Sequence, residues 1–252
     1  MDFNYTKIKF GNWLYRNCFP LYNIFYSRFK IINDADEIAV LKKNIRSGDH
    51  VLDIGANIGF YARVLSELVG EKGHVYCFEP DSANFNYLKK NTRSLQNITL
   101  FKAAVSDKAG ELKVYRSKLL NVDHRTYPVN NYDSVEDVQS LSIDELIREK
   151  KIQKVDLIKI DIQGYELVAF TGMQNLLQQN DHIRILAEYW PHGFKRAGSS
   201  ALEFYDFFHT LSYRFSIIEK GNIRPLSRDF VARHNNEPFE FSFNVLIEKR
   251  DH

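Results

Sequence analysis

Four acidic residues lie where short apolar runs end: Asp53, Glu79, Asp161 and Glu188. Apolar runs of about four to eight residues bounded by turn residues predict buried strands. The carboxyl ends of parallel strands meet at one edge of a sheet, and such sheets bind their ligands there. Carboxylates at that edge can accept hydrogen bonds from the hydroxyl groups of a ligand. The pattern therefore predicts a binding site formed by the ends of several strands.

A glycine-containing turn follows the first of these acids. The sequence Gly55-Ala56-Asn57-Ile58-Gly59 separates the first strand from an amphipathic segment that runs through Phe60 and Tyr61 to Val69. This order is typical of a strand, a tight loop and a helix. Gly55 and Gly59 are expected to let the backbone approach a ligand, because a side chain would fill that space. Glu79 lies twenty residues beyond Gly59, a spacing at which an acid at the tip of the second strand can bind both ribose hydroxyls.

Strands alternate with helices along most of the chain, which predicts an α/β fold with a mostly parallel, doubly wound sheet. Other predicted elements are a helix over 34–45, a third strand over Ile98–Val105, a polar loop over 116–139, a helix from 163 to about 178 and a closing strand over Phe241–Ile247. Ser106 lies just beyond the third strand, where the base of a nucleotide would rest. We predict two units, an aromatic and basic helical extension over 1–33 and a ligand-binding domain over 34–252.

The positions of the histidines relative to the predicted strands indicate which of them can take part in chemistry. Three of them fall at the opposite ends of the predicted strands, so only His124 and His192 are candidates for chemistry. His124 is the first candidate for a general base, because it lies in the long polar loop and a histidine titrates near neutral pH. The alternative is a surface histidine that is hydrogen-bonded to Asp123.

A metal site is a second interpretation of the same edge of the sheet. Asp161, Glu188 and His192 could bind a divalent ion such as Mg²⁺, which prefers oxygen ligands. The sequence does not favour this interpretation, since no adjacent pair of acids supplies a tight ligand spacing. No metal ligand is therefore assigned.

Composition limits the classes of partner. The formal net charge of +2 gives no extended basic field of the kind that nucleic-acid binding requires. Two cysteines, Cys18 and Cys77, are too few for a disulfide framework. Because no signal peptide and no run of 18 apolar residues is present, we expect a cytoplasmic protein.

Residues 1–30 are crowded with aromatic side chains, and Lys7, Lys9, Arg16, Arg28 and Lys30 lie between them. Helical spacing of the aromatics predicts amphipathic helices. Such helices can bind a membrane surface through aromatics at the interface and basic residues on anionic head groups. Packing against the protein core or against a second subunit, as in a homodimer, is the other interpretation.

Four ordered motifs resemble those of the FkbM family of S-adenosylmethionine-dependent methyltransferases: Val51–Tyr61, Phe78–Pro80, Ala103–Asp107 and Ile158–Glu166. Asn121–Arg125 and Glu188–Pro191 also look like one branch of that family. The resemblance implies a seven-stranded class I (Rossmann-like) methyltransferase fold with an antiparallel last strand. It also implies O-methyl transfer to a small-molecule or glycan acceptor, often to a sugar or polyketide hydroxyl. Gln163 departs from the glutamate that many relatives have.

The resemblance gives the predicted residues their roles. Asp53 and the turn would hold the methionine part of S-adenosylmethionine, Glu79 the ribose and Ala104–Asp107 the adenine, while Asp161 would face the methyl group. The predicted cofactor-binding set is Glu37, Asp53, Gly55, Ala56, Asn57, Gly59, Phe60, Tyr61, Glu79, Pro80, Ala104, Val105, Ser106 and Asp161, and the catalytic set is His124, Asp161, Glu188 and His192.

Two other classes stay open at this point. A protein that binds S-adenosylmethionine without catalysis would keep the same motifs. A nicotinamide-dependent oxidoreductase would share the fold and Glu79. Asn57 counts against the oxidoreductase, because it replaces the glycine that brings the backbone close to a pyrophosphate.

Overall fold

The computed structural model describes residues 3–117, 124–128, 132–219 and 221–250, with the backbone alone over residues 3–9. The helices are α1 Phe3–Asn17, α2 Phe19–Asn33, α3 Ala35–Asn44, α4 Phe60–Val69, α5 Ser82–Thr92, α6 Ile143–Arg148, α7 Glu166–Thr171, α8 Gln174–Gln179, α9 Pro191–Arg196, α10 Ala201–Thr210 and α11 Arg228–Arg233. The strands are β1 His50–Ile54, β2 His74–Phe78, β3 Ile98–Phe101, β4 Ala104–Val105, β5 Gly110–Ser117, β6 Tyr132–Leu141, β7 Leu157–Ile160, β8 Arg184–Tyr189, β9 Tyr213–Glu219, β10 Asn222–Pro225 and β11 Phe243–Lys249.

The main sheet has the strand order β10-β9-β11-β8-β7-β1-β2-β3. Strands β3, β2, β1, β7 and β8 are parallel neighbours. β11 enters between β8 and β9 and runs antiparallel to both. The α/β fold, the mostly parallel sheet and the antiparallel last strand are therefore confirmed. The carboxyl ends of β1, β2, β7 and β8 lie along one edge, as the positions of the four acids predicted.

Four features of the predicted fold need correction. The main sheet has eight strands in the described residues, because β10 adds an antiparallel edge strand beyond the expected seven. The predicted third strand divides after Phe101, and its last two residues form β4 in a second sheet of order β4-β6-β5. The predicted polar loop contains β6, whose mostly exposed residues carry no apolar alternation. The predicted helix from 163 is likewise two short helices, α7 and α8, that flank Gly172.

Residues of the central strands alternate between two hydrophobic cores. Leu52 and Ile158 belong to the core on one face of the main sheet, whereas Val51 and Leu157 belong to the core on the other. Successive side chains of a strand point to opposite faces, and a parallel sheet is covered on both. The two cores hold the strand ends rigidly, and the site is built on those ends.

Helices α1 and α2 pack on the domain next to the glycine turn. Leu14, Tyr15 and Tyr22 are buried together with Ile58 of that turn. The Tyr15 hydroxyl donates a hydrogen bond to the Asn84 Oδ1 atom over 2.7 Å. Within the described residues, no helix is long and apolar enough to cross a bilayer.

Candidate functional site

The glycine turn between β1 and α4 is held by protein contacts. Gly55 and Gly59 have φ angles of +84° and +91°, which disfavour residues with a side chain. A Cβ atom at Gly55 would lie 2.1 Å from the backbone oxygen of Asp161, and one at Gly59 would lie 2.9 Å from the Leu88 side chain. Protein contacts alone thus require both glycines, and the approach of a ligand to the turn stays a prediction. The two glycines leave room for the loop after β7 and for α5.

Glu79, just after β2, is hydrogen-bonded to the glycine turn that follows β1. Its carboxylate accepts hydrogen bonds from the backbone N–H groups of Asn57 and Asp81, each over 2.9 Å. Burial raises the pKa of Glu79 to about 8, and these two N–H groups oppose the rise. Glu79 also lines a cavity beside the turn, so its oxygens can accept hydrogen bonds from a ligand there.

This first cavity, called the inner cavity here, encloses about 600 Å³ out to its open mouth. Most of its wall is apolar. Ile54, Phe78, Ala103 and Ile162 come from the ends of β1 and β2 and the loops after β3 and β7, and Ala104, Val105 and Val114 come from the second sheet. Thr126 also lines it, and the buried Thr126 hydroxyl has no hydrogen-bond partner among the described residues. Such a cavity suits a flat apolar ring that carries polar groups at its edge.

A second cavity of about 700 Å³, the outer cavity, lies on the other side of Asp161. It shares Gly55, Asn57, Asp161 and Gln163 with the inner cavity. Its remaining wall comes from α2, the glycine turn, α4 and β7, with Tyr26, Phe29, Lys30, Ala56, Ile58, Phe60, Tyr61 and Lys159. Asp161 therefore stands at the junction of two cavities, one mostly apolar and one lined by cations and aromatic rings.

Lys159 is a buried cation that sequence reasoning missed. Its Nζ atom lies 3.9 Å from Asp53 Oδ1 and 4.0 Å from Asp161 Oδ2. The same atom lies 4.5 Å from the centre of the Tyr61 ring. A lysine inside the apolar run of β7 was the available signal, because a buried charge needs a partner.

Asp53 lies beneath the turn rather than in a cavity wall. It is completely buried, and neither of its carboxylate oxygens has a hydrogen-bond partner among the described residues. Burial raises the pKa of Asp53 to about 6, and the charge of Lys159 opposes that rise. Asp53 can therefore act on a ligand through Lys159 and the turn.

A third, smaller cavity joins the outer one through Lys30, Tyr61, Lys159 and Asp161. The Tyr61 hydroxyl donates to Asp34 Oδ2 over 2.7 Å, and Lys30 forms an ion pair with the same carboxylate. Glu37 also lines this cavity. One Glu37 oxygen accepts a hydrogen bond from the Asn244 amide, while the other is buried with no partner among the described residues. Burial raises the pKa of Glu37.

Gln163 supports Asp161 directly. Its side-chain amide donates to Asp161 Oδ1 over 3.0 Å, a bond that an ionised glutamate at this position could not form. Gln163 has a left-handed φ of +59°, and the Tyr127 hydroxyl donates to its backbone oxygen over 2.8 Å. The departure from the family pattern therefore places a neutral donor next to Asp161.

His124 lines the inner cavity, and protein groups lie next to both of its ring nitrogens. The backbone N–H of Ser117 donates to His124 Nδ1 over 3.3 Å, and Nε2 lies 3.8 Å from Asp81 Oδ2. Asp123, the alternative partner, lies outside the described residues. Arg125, next in the chain, is buried with its guanidinium 5.1 Å from the Trp190 ring centre. Thus His124 is at the site, but a base role requires one nitrogen to leave its present neighbour.

Glu188 lies at the end of β8, next to the strand of Asp161. Burial and the charge of Asp161 raise the pKa of Glu188 to about 7, while Ser242 and Lys159 oppose the rise. His192 instead packs its ring against Trp190 and Phe239, with ring centres 5.7 and 5.6 Å away. Across the described residues, no three histidine, cysteine or acidic side chains are grouped as metal ligands.

The cavities contain most of the predicted cofactor residues. Gly55, Asn57, Glu79, Pro80, Ala104, Val105 and Asp161 line the inner cavity, Ala56, Phe60 and Tyr61 the outer one, and Glu37 the third. Asp53, Gly59, Ser106, Glu188 and His192 lie outside the walls of these three cavities. The Ser106 hydroxyl is engaged by Asp107, to which it donates over 2.9 Å.

Curated relatives match this chain over part of their length. The hexuronic acid methyltransferase AglP of Haloferax volcanii is 28% identical over 146 residues, which cover 58% of each chain. The 2-O-methyltransferase NoeI of Sinorhizobium fredii is 28% identical over 149 residues, which cover 53% of this chain and 60% of that protein. The matches thus span less than two thirds of either relative.

Solved structures with the same fold include two rRNA methylases. One, from Clostridium thermocellum and provisionally assigned, has a TM-score of 0.52 at 14% identity, with 86% of this chain and 96% of that chain covered. The other, from Streptococcus thermophilus, has a TM-score of 0.50 at 11% identity, with 87% and 96% covered. At these identities the likeness shows the class I methyltransferase fold alone. The family model of the FkbM methyltransferase domain matches residues 53–215, well over half of the chain, and the protein belongs to that family.

Proposed function

We propose that the protein is an S-adenosylmethionine-dependent O-methyltransferase that acts on a sugar hydroxyl. The observation that carries this proposal is the position of Asp161 between the inner and outer cavities. A donor in one cavity and an acceptor in the other would meet at that residue. Methyl transfer is an in-line displacement, so alignment of the two reactants can supply on the order of 7 to 11 kcal/mol of the barrier.

The residues present fit S-adenosylmethionine. The apolar wall of the inner cavity suits adenine, and the Glu79 carboxylate can accept hydrogen bonds from ribose hydroxyls. The carboxylate of Asp161, at the junction of the cavities, can accept hydrogen bonds from an ammonium group. Bound there, S-adenosylmethionine would supply a methyl group made electrophilic by its positively charged sulfur.

Proton removal from the acceptor hydroxyl needs a base that borders the cavities, and we propose Asp161, which lines both of them. Glu188 lines neither cavity and acts through Asp161, and its pKa of about 7 places the change of its charge near neutral pH. The negative charge of Asp161 helps to raise the pKa of Glu188, so Asp161 influences the protonation of Glu188. The sequence-based prediction that His124 is the base stays a prediction, and the same pH measurements test it.

A sugar acceptor is supported by the outer cavity and by the relatives. Tyr26 and Phe29 offer aromatic rings and Lys30 and Lys159 offer cations, a combination that suits the apolar face of a sugar ring and an acidic substituent. Both relatives are named as methyltransferases, one of them acting on a hexuronic acid. We propose a glycan or sugar acceptor of that chemical class.

The test begins with calorimetric titration of the purified protein with S-adenosylmethionine, S-adenosylhomocysteine and NAD⁺. We expect binding of the first two and none of NAD⁺; the reverse would favour an oxidoreductase. Methyl-labelled donor is then incubated with a panel of neutral and acidic sugars, and products are detected by the mass of one added methylene unit. Binding without transfer to any sugar, glycan or lipid would favour a non-catalytic protein. An Asp161→Asn variant, which keeps the shape of the junction, separates transfer from background label.

A further inference from the structure

Helix α2 presents an apolar face to solvent. Leu21, Ile24, Phe25, Phe29, Ile31 and Ile32 are each between 41% and 74% exposed. At about 100° of rotation per residue, these positions fall within about 160° of the helix circumference. Tyr22, just beyond the edge of this arc, is buried against the domain. We call the exposed residues, together with Arg28 in their midst, the outward face of α2.

Helix α1 adds aromatic surface of the same kind. Phe10 and Trp13 are 58% and 56% exposed, and their rings stack with centres 6.3 Å apart. Exposed large apolar side chains that occur singly are ordinary, whereas a contiguous group marks an interaction surface. The two helices pack on each other, so their exposed side chains belong to one region of the protein.

The charge of this region has one sign. Residues 3–33 contain five lysines and arginines and no aspartate or glutamate. Arg16 is paired with Asp133, and Lys30 with Asp34. Arg28 is exposed and has no ion-pair partner within the described part of the chain. An arginine without an ion-pair partner in the middle of an apolar face suits a partner with an anionic surface and an apolar interior.

We propose that α1 and the outward face of α2 dock on an anionic lipid bilayer. Amphipathic helices with aromatic and aliphatic residues on one side and basic residues among or beside them lie in the plane of the interface. A second copy of this chain is the less suitable occupant. Symmetric pairing across this face would bring Arg28 of one copy towards Arg28 of the other, with no acidic residue on the outward face to offset the two charges.

Docking by this face would also orient the site. Phe29 belongs to the outward face and lines the outer cavity together with Lys30, one residue further along α2. The wall of the outer cavity formed by α2 therefore lies beside the lipid head groups when the helix docks. This inference does not depend on the proposed activity, because vesicle binding is measured without donor or acceptor.

The test uses the full chain and vesicles of phosphatidylcholine alone or with added phosphatidylglycerol. We expect co-flotation with the anionic vesicles, reduced by added salt because the attraction is screened. Trp13 reports insertion directly: Trp190 is buried, with its indole N–H bonded to the Phe239 oxygen over 2.9 Å. A blue shift of tryptophan emission on anionic vesicles, absent in Trp13→Phe, is the expected result.

Substitutions on the outward face of α2 and elsewhere on the protein test which surface binds the vesicles. The triple variant Ile24→Ser, Phe25→Ser, Ile32→Ser should weaken vesicle binding at least about tenfold, because it removes most of the inserted apolar area. The double variant Ile223→Ser, Val135→Ser changes exposed apolar residues elsewhere and should bind like the wild type. Unchanged thermal unfolding shows that the variants are folded.

A charge reversal gives a second test if the triple variant does not fold. Arg28→Glu should weaken binding by at least about fivefold, since one basic residue near an anionic surface is worth about that factor. Arg46→Glu, an exposed arginine just before β1, is the matched control. No binding to any vesicle would overturn the proposal, as would binding that neither α2 variant reduces. A concentration-dependent dimer lost in the triple variant, without vesicle binding, would instead assign the face to a second copy.

Discussion

Gly55 offers a direct test of how the turn holds the site. Its φ of +84° and the 2.1 Å distance that would separate a Cβ atom from the Asp161 oxygen are two distinct obstacles to a side chain. Gly48 has a similar φ of +94°, yet a Cβ atom there would have no neighbour within 4 Å. The pair Gly55→Ala and Gly48→Ala therefore separates backbone strain from the contact with Asp161.

The expected magnitudes follow from these distances. A left-handed conformation costs a residue with a Cβ atom about 1–2 kcal/mol, so both variants should lose about that much free energy of unfolding. In Gly55→Ala the Asp161 carbonyl must also retreat, because real Cβ atoms essentially never approach a neighbour within 3.0 Å. The required shift is 3.0 − 2.1 = 0.9 Å. Displacement of a site residue by about 1 Å can lower a catalysed rate on the order of 10²-fold.

Urea denaturation and calorimetric titration with S-adenosylhomocysteine measure the two effects independently. Gly48→Ala should lose stability and keep its affinity. Gly55→Ala should lose more stability and bind S-adenosylhomocysteine at least about tenfold more weakly, with methyl transfer reduced further. Equal losses of stability in both variants, together with unchanged affinity in Gly55→Ala, would refute the role given to this contact.

Three further predictions concern buried acids. Glu79→Gln should weaken S-adenosylhomocysteine binding by about 1–3 kcal/mol, because an amide nitrogen replaces one of the two oxygens that accept hydrogen bonds from backbone N–H groups and can accept them from a ribose. Calorimetry checks this against the exposed control Glu240→Gln, and wild-type affinity would contradict it. Glu188→Gln should abolish the rise in the methyl-transfer rate as pH increases through about 7, because the carboxyl next to Asp161 no longer changes its charge there. Loss of that rise in His124→Gln instead would assign the base to the histidine. The raised pKa of Glu166, about 8, comes from burial, so its contribution to stability is full below the unfolded pKa of about 4.5 and is lost as pH rises through 8. Glu166→Gln should therefore be more stable than the wild type at pH 9 but not at pH 4, by urea denaturation; equal pH profiles would contradict this.

Local patterns were enough to predict the fold and the edge of the sheet that carries the site. Strand periodicity and the spacing from Gly59 to Glu79 depend on neighbours in sequence, and parallel strands have little freedom in where their carboxyl ends meet. Glu79 accordingly lines the inner cavity, and Asp161 lies between two cavities. The four ordered motifs also predicted the FkbM family, and the match of the family model over residues 53–215 confirms it.

Other features depend on contacts between distant segments. β6 is mostly exposed and has no apolar alternation, so it is a strand only because it pairs with β5 and β4. The reason for Gly55 became visible only when the loop after β7 was packed against it.

The sequence by itself determined the fold class, the family and the row of acids at the strand ends, because these follow from periodicity and short-range spacing. Tertiary structure decided what those acids do. It buried Asp53 beside Lys159, brought Glu188 close enough to Asp161 to raise its pKa, and set α2 as a wall of the outer cavity. Burial and the distances between charges arise from packing of segments far apart in the chain, and no local pattern encodes them.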